Sequence, residues 1–196
     1  FGPCMISGIL LAAGDSKRMG EPKALLQYDG ITFIDSILNK FFEIGCEPII
    51  SILGASAELI CERTRVHKFQ CFRNPNPEEG QLSSLQIAIA HLPEESEGFI
   101  MALVDHPMVK MDTYQKLFEM AKANSNNIII PEFYGKKGHP VYFGRPFFDS
   151  ILHLPLTDGA RVVIHENPAD VMYLKVDDEG ILKDIDTPDD YRDSFH

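Results

Sequence analysis

Three short runs constrain this chain most. ISGILLA (6–12), PIISIL (48–53) and GFIMALV (98–104) are largely apolar, yet each is only strand length. A strand with one wet face alternates apolar and polar residues, so near-continuous apolar runs predict strands covered on both faces. Helix-patterned stretches separate them. Thr32 with Asp35 reads as an N-terminal cap, after which Phe33, Ile34, Ile37, Leu38, Phe41 and Phe42 recur at helical spacing up to Gly45. Further helices are expected over 55–64, through Ala90 behind a Ser83 or Ser84 cap, over 112–123 and 159–166, and from Pro188 onward. Further strands are expected over 69–73, 127–131, 139–143 and 171–176. The alternation predicts an α/β fold with a mainly parallel sheet and helices on both faces.

In such sheets, ligands bind beyond the carboxyl ends of the strands. Two expected strand ends carry chemistry. One leads into GDSKRMGEPK (14–23), which gathers Lys17, Arg18 and Lys23 in a chain of formal net charge -11; the other leads into Asp105. With 29 acidic against 18 basic residues, the balance argues against nucleic-acid or anionic-membrane partners but allows a local basic pocket. No apolar run approaches the roughly 20 residues of a membrane-crossing helix. At 196 residues the chain reads as one domain, 1–196, with residues 1–4 (FGPC) as a remnant ahead of a native start at Met5. Cys4, Cys46, Cys61 and Cys71 contain no CxxC and read as buried, reduced thiols, which points to a cytoplasmic location.

Gly14 and Gly20 let the backbone turn tightly, and successive N–H groups in such a turn form a concave anion site. Arg18 can fork onto two phosphate oxygens, and Lys23 adds a mobile point charge. The spacing is neither a P-loop nor GxGxxG, so a solvated loop stays open as an alternative. Asp105 could be a metal ligand or a helix cap. Asp186, ahead of Thr187-Pro188, could likewise be a ligand or part of a helix start.

The stretch LAAGDSKRMGEPK (11–23) resembles the signature LAAGxSxRMGxxK of the MobA-like nucleotidyltransferases, and its molybdenum cofactor cytidylyltransferase branch most closely. Similar motifs follow in family order: GQLSSLQ (80–86), LVDHP (103–107), GHPV (138–141), DGAR (158–161) and DIDTPDDY (184–191). The resemblance implies a Rossmann-like, nucleotide-diphospho-sugar transferase fold. It implies nucleotide contacts from Leu11, Ala12, Ala13, Gly14, Arg18, Lys23, Gly80, Gln81 and Ser83, with Arg18, Lys23 and Asp105 catalytic. It also implies Mg2+ on Asp105 and Asp186, and acceptor contacts from Gly138, His139, Pro140 and Arg161. The chain departs from the family in two places. His106 stands where DQP is commoner than DHP, and LTDGAR lacks the residue between Asp and Gly of GDxGAR.

The implied reaction transfers CMP from CTP to the phosphate of molybdenum-loaded molybdopterin, releasing pyrophosphate, with a client molybdenum hydroxylase as a partner. Ala13, and Glu21 directly after RMG, resemble the cytidylyl rather than the guanylyl pattern. Two alternatives stay open: a nucleotidyltransferase using GTP or another phosphorylated acceptor, and a non-catalytic chaperone that carries the cofactor.

Overall fold

The computed structural model describes residues 4–14 and 19–195. In chain order the strands are β1 (Met5–Ala12), β2 (Gln27–Tyr28), β3 (Ile31–Thr32), β4 (Ile49–Leu53), β5 (Gln70–Arg73), β6 (Ser96–Leu103), β7 (Ile128–Phe133), β8 (Lys136–Lys137), β9 (Val141–Gly144) and β10 (Val171–Lys175). The helices are α1 (Phe33–Ile44), α2 (Ala57–Arg63), α3 (Gln81–Ala90), α4 (Met111–Ala123), α5 (Phe148–Leu152), α6 (Arg161–Glu166) and α7 (Pro188–Phe195).

Among the described residues, eight strands form one sheet in the order β10-β7-β9-β6-β1-β4-β5, with β8 beside β7; β2 and β3 form a separate hairpin. β6, β1, β4 and β5 are parallel, as are β10 and β7. β9 runs antiparallel between β6 and β7, so the sheet is mixed as well as mainly parallel. Its apolar pattern gives no direction, because a strand buried on both faces reads alike either way.

β1 shows how the sheet is covered. Ile6, Leu10 and Ala12 join the layer of α1 and α4, while Ile9, Leu11 and Ala13 join that of α3 and α5. Gly8 faces α1, where a Cβ would lie 2.8 Å from the Phe41 ring, so glycine lets that ring lie against the sheet. Phe41, like Phe33, Ile34, Ile37 and Leu38, is fully buried. Emptying its space in Phe41→Ala would cost about 3–5 kcal/mol.

α1 starts and stops where its sequence indicates. Thr32 Oγ1 accepts from the Asp35 N–H at 3.2 Å, and Gly45 ends the helix at φ 90°. The buried Asp35 carboxylate accepts from the N–H groups of Arg65 (2.9 Å) and Val66 (3.3 Å), tying α1 to the chain beyond α2.

Two expectations need correction. α3 begins at Gln81 behind Gly80, with Ser83 and Ser84 inside it, so neither serine is its cap. Of the cysteines only Cys46 is buried; Cys4 is half-buried, and Cys61 and Cys71 are exposed. α2 buries Ile60 alone, and β5 is an outer strand of the sheet, so both present a face to solvent.

Candidate functional site

β1, β4 and β6 end side by side, with Leu11 in register with Leu103 and Ala12 with Leu53. The Val104 N–H donates to Leu11 O at 3.1 Å, which sets Asp105 beside the Ala13–Gly14 turn. Gly54 follows β4, and a Cβ there would stand 2.5 Å from Ala13 O; only glycine allows that approach. Beyond β5, the buried Asn74 donates its N–H to Leu53 O at 2.8 Å. Its amide also donates to Ser83 Oγ (2.8 Å) and Ser84 Oγ (2.9 Å), fixing the start of α3. Gly80, at φ 93°, supplies the bend into that helix.

These strand ends enclose a cleft of about 660 Å³. Leu11, Ala12, Ala13, Gly14, Lys23, Gly80, Gln81 and Asp105 all line it, as do Glu21 and Ser84. Ser83 lies one step away, its Oγ donating to Gly80 O at 2.7 Å. Arg18 and Lys17 lie outside the described residues.

Asp105 follows β6 in a turn, and α4 starts only at Met111 behind Lys110, so Asp105 caps no helix. Its Oδ1 meets His106 Nδ1 at 2.8 Å, leaving Oδ2 without a hydrogen bond among the described residues. Burial works to raise its pKa, but the His106 hydrogen bond and the nearby charges of His106, Lys23 and His139 together hold it below the usual carboxylate range. It therefore stays ionised at neutral pH.

The Ile185 N–H donates to Asp105 O at 2.8 Å, and Asp186, next in the chain, forms an ion pair with Lys23. The start of α7 does not use Asp186 as its cap. The Asp190 N–H donates to Thr187 Oγ1 at 3.1 Å, and Asp190 Oδ2 accepts from the Thr187 N–H at 2.7 Å, a reciprocal capping box. Asp105 and Asp186 thus present hard oxygen donors next to a lysine. Among the described residues no group of three or more His, Cys, Asp or Glu is arranged to hold a metal alone. A hard divalent ion fits this donor set, since it takes one or two carboxylates and completes its shell with phosphate oxygens and water.

The GHP segment converges on the same corner. The His139 ring meets His106 edge-on at 5.0 Å between centroids, and its buried Nδ1 has no hydrogen-bond partner among the described residues. Burial first, and the His106 charge second, lower the His139 pKa to about 4 against the pull of Asp105. Gly138 is confined by Ile181 O, which would lie 2.2 Å from a Cβ, and the same oxygen accepts the His139 N–H at 3.0 Å. Pro140 is buried directly behind. Arg161 stands apart: it opens α6, is exposed, and is not among the residues lining the cleft.

Three residues shape the site without a local sequence signal. Asn74 orders α3. Lys40, on α1, donates to Ser36 Oγ (3.1 Å) and Pro107 O (3.4 Å), gripping the loop after Asp105; burial brings its pKa down to about 8. The buried Asp178 accepts from the Lys110 N–H (2.8 Å), Thr113 Oγ1 (2.6 Å) and the Gly180 N–H (2.9 Å), bracing the segment that leads to Ile181 and Ile185.

Comparison with known proteins follows from this geometry. A sequence model of the MobA-like NTP transferase domain matches residues 8–171. The chain is 30% identical over 195 residues to nicotine blue oxidoreductase of Paenarthrobacter nicotinovorans, covering 94% of this chain and 93% of that one. It is 26% identical over 187 residues to molybdenum cofactor cytidylyltransferase of Escherichia coli (strain K12), covering 95% and 93% respectively. Among solved structures, Rv0371c from Mycobacterium tuberculosis H37Rv superposes with a TM-score of 0.88 at 29% identity, covering 100% of this chain and 99% of that one. The same protein in complex with manganese superposes at 0.83 and 27% identity, covering 97% and 98%.

Proposed function

The chain belongs to the MobA-like NTP transferase family, and from that membership we propose that it transfers CMP from CTP to the phosphate of molybdenum-loaded molybdopterin, releasing pyrophosphate. The observation that carries the reading is the convergence of Asp105, Lys23 and Asp186 at the joint end of β1 and β6. The cytidylyltransferase relative supports the choice of reaction. Ala13 and Glu21, the two positions that resemble the cytidylyl pattern, both line the cleft.

The acceptor is a phosphate monoester, whose second pKa of about 6 leaves it largely dianionic at neutral pH, so no general base is required. Its oxygen attacks the α-phosphorus of CTP while the bond to pyrophosphate breaks on the opposite side. The barrier is the approach of two anions and the charge gathering on the leaving group. Lys23 meets that charge, and the Ala13–Gly14 backbone with Arg18 holds the triphosphate. Gly80, Gln81 and Ser84 border the nucleoside side, with Ser83 behind them. Gly138, His139 and Pro140 lie on the acceptor side, and Arg161, exposed on α6 outside the cleft lining, is assigned to the part of the acceptor that projects beyond the cleft. Asp105, with Asp186 beside it, would hold Mg2+, and the ion would supply Lewis-acid neutralisation of the phosphates. The manganese complex of Rv0371c supports a divalent ion in this role.

No helix among the described residues is long and apolar enough to cross a membrane. The working setting we propose is the cytoplasm, with a molybdenum hydroxylase receiving the product.

The test is pyrophosphate release from CTP or GTP with Mg2+ and molybdenum-loaded molybdopterin. CTP-dependent release is expected. GTP-dependent release would move the reading to the guanylyl reaction, and none from folded, nucleotide-binding protein would move it to another acceptor or a carrier. A second reading, oxidoreduction, rests on the 30% identical relative and its name. Reduction of nicotine blue by this chain at the expense of an added nicotinamide nucleotide reductant, without pyrophosphate release, would favour it.

A further inference from the structure

Cys61 on α2 and Cys71 on β5 come from different elements, yet their Sγ atoms lie 3.3 Å apart and both residues are exposed. The other cysteines lack such a partner: Cys46 is buried, and Cys4 donates to Glu97 at 3.0 Å. A disulfide bond is about 2.05 Å long, so the two sulfurs already converge and need only a small approach to bond.

The pair also has a strategic place. Ile60 is the one fully buried residue of α2, and it lines the cleft. β5 runs on to Asn74, which holds Ser83 and Ser84 at the head of α3. A covalent link between Cys61 and Cys71 would therefore tie together two elements that shape one wall of the cleft.

We propose that Cys61 and Cys71 form a thiol-modification site that closes reversibly into an intramolecular disulfide by exchange with a low-molecular-weight disulfide such as oxidised glutathione. The Cys61 thiolate attacks one glutathione sulfur, forming a mixed disulfide and releasing one glutathione thiolate. The Cys71 sulfur then attacks Cys61 Sγ. The bond to glutathione breaks, and the second glutathione departs with the electron pair and takes up the Cys71 proton. Two cysteines lose two electrons and one glutathione disulfide gains them.

The order of steps is built into the pair. Although its residue surface is exposed, partial burial of the sulfur, then the hydrogen bond and charge of Cys61, push the Cys71 thiol up, which makes it the poorer first nucleophile. Capping Cys61 with glutathione removes the last two of these causes and leaves the burial in place, so the 3.3 Å approach of the two sulfurs is what favours the second step. This site does not depend on the nucleotidyl-transfer reading, and its test needs no substrate.

The test treats the native protein with graded mixtures of reduced and oxidised glutathione, followed by acid quenching, alkylation under denaturing conditions and mass spectrometry. Expected is the loss of two of the four thiols with no glutathione retained, a Cys61–Cys71 linked peptide, and full reversal by dithiothreitol. Cys71→Ser, checked for native circular dichroism, should instead trap one glutathione on Cys61. A persistent glutathione adduct on the wild type would overturn the proposal. So would links between copies, pairing that uses Cys4 or Cys46, or four thiols intact at every ratio.

Discussion

Ile185 donates its backbone N–H to the carbonyl oxygen of Asp105 at 2.8 Å, and this bond places the next residue, Asp186, where it meets Lys23. Segments from the start, middle and end of the chain thus share one corner of the cleft. The following outcomes are expected if that corner works as described.

Lys23→Ala should lower kcat by about 10²–10³-fold, the usual effect of removing one group that stabilises transition-state charge. The partner left behind, Asp186, is half exposed, so the stability loss should stay within about 1 kcal/mol. Steady-state pyrophosphate release and a urea midpoint on the same preparation check both. Undiminished turnover would remove Lys23 from the reaction.

Asp105→Asn keeps an acceptor at Oδ1 for His106 but removes the ionised carboxylate. The variant should fold normally and lose at least tenfold in Mn2+ affinity, measured by electron paramagnetic resonance of the free ion. Affinity equal to wild type would place the cation elsewhere.

His139 gives a pH dependence of defined sign. Its pKa is about 4 in the fold against an ordinary value of 6.5, so below pH 6.5 the unfolded chain binds more protons than the native one. Its contribution to stability is complete above pH 6.5 and falls as the pH drops towards 4, by on the order of 2–3 kcal/mol. Urea unfolding at several pH values should show a shallower acid slope for His139→Gln than for wild type. Parallel slopes would refute the assignment.

Gly138→Ala would set a Cβ 2.2 Å from Ile181 O, the oxygen that also holds the His139 N–H. Because that neighbour is backbone, relief requires the 138–140 segment to shift, at about 1–3 kcal/mol. Gly159→Ala, where a Cβ meets nothing within 4 Å, is the control and should be nearly neutral. Thermal melts of both variants make the comparison.

The buried strands were legible because β1, β4 and β6 are covered on both faces and therefore carry almost uninterrupted apolar residues. The α1 boundaries were equally plain, since Thr32 and Gly45 act on backbone groups within a few residues. Reading Ser83 or Ser84 as a cap failed for the opposite reason. Both hydroxyls accept from Asn74, a neighbour only after β5 has paired with β4, and Gly80 starts α3 earlier. Cys61 and Cys71 sit beside apolar residues in sequence, but one is on a surface helix and the other on an outer strand.

By itself, then, the sequence determined the layered α/β architecture, the boundaries of α1 and the candidacy of Asp105, because apolar periodicity and capping chemistry act between near neighbours. Only the tertiary structure decided that Asp186 faces Lys23, that His139 rests on His106, that β9 runs against its neighbours and that two distant cysteines touch. Those relations depend on the path of the whole chain: single backbone hydrogen bonds, such as Ile185 to Asp105 and His139 to Ile181, fix them across separations that no local pattern spans.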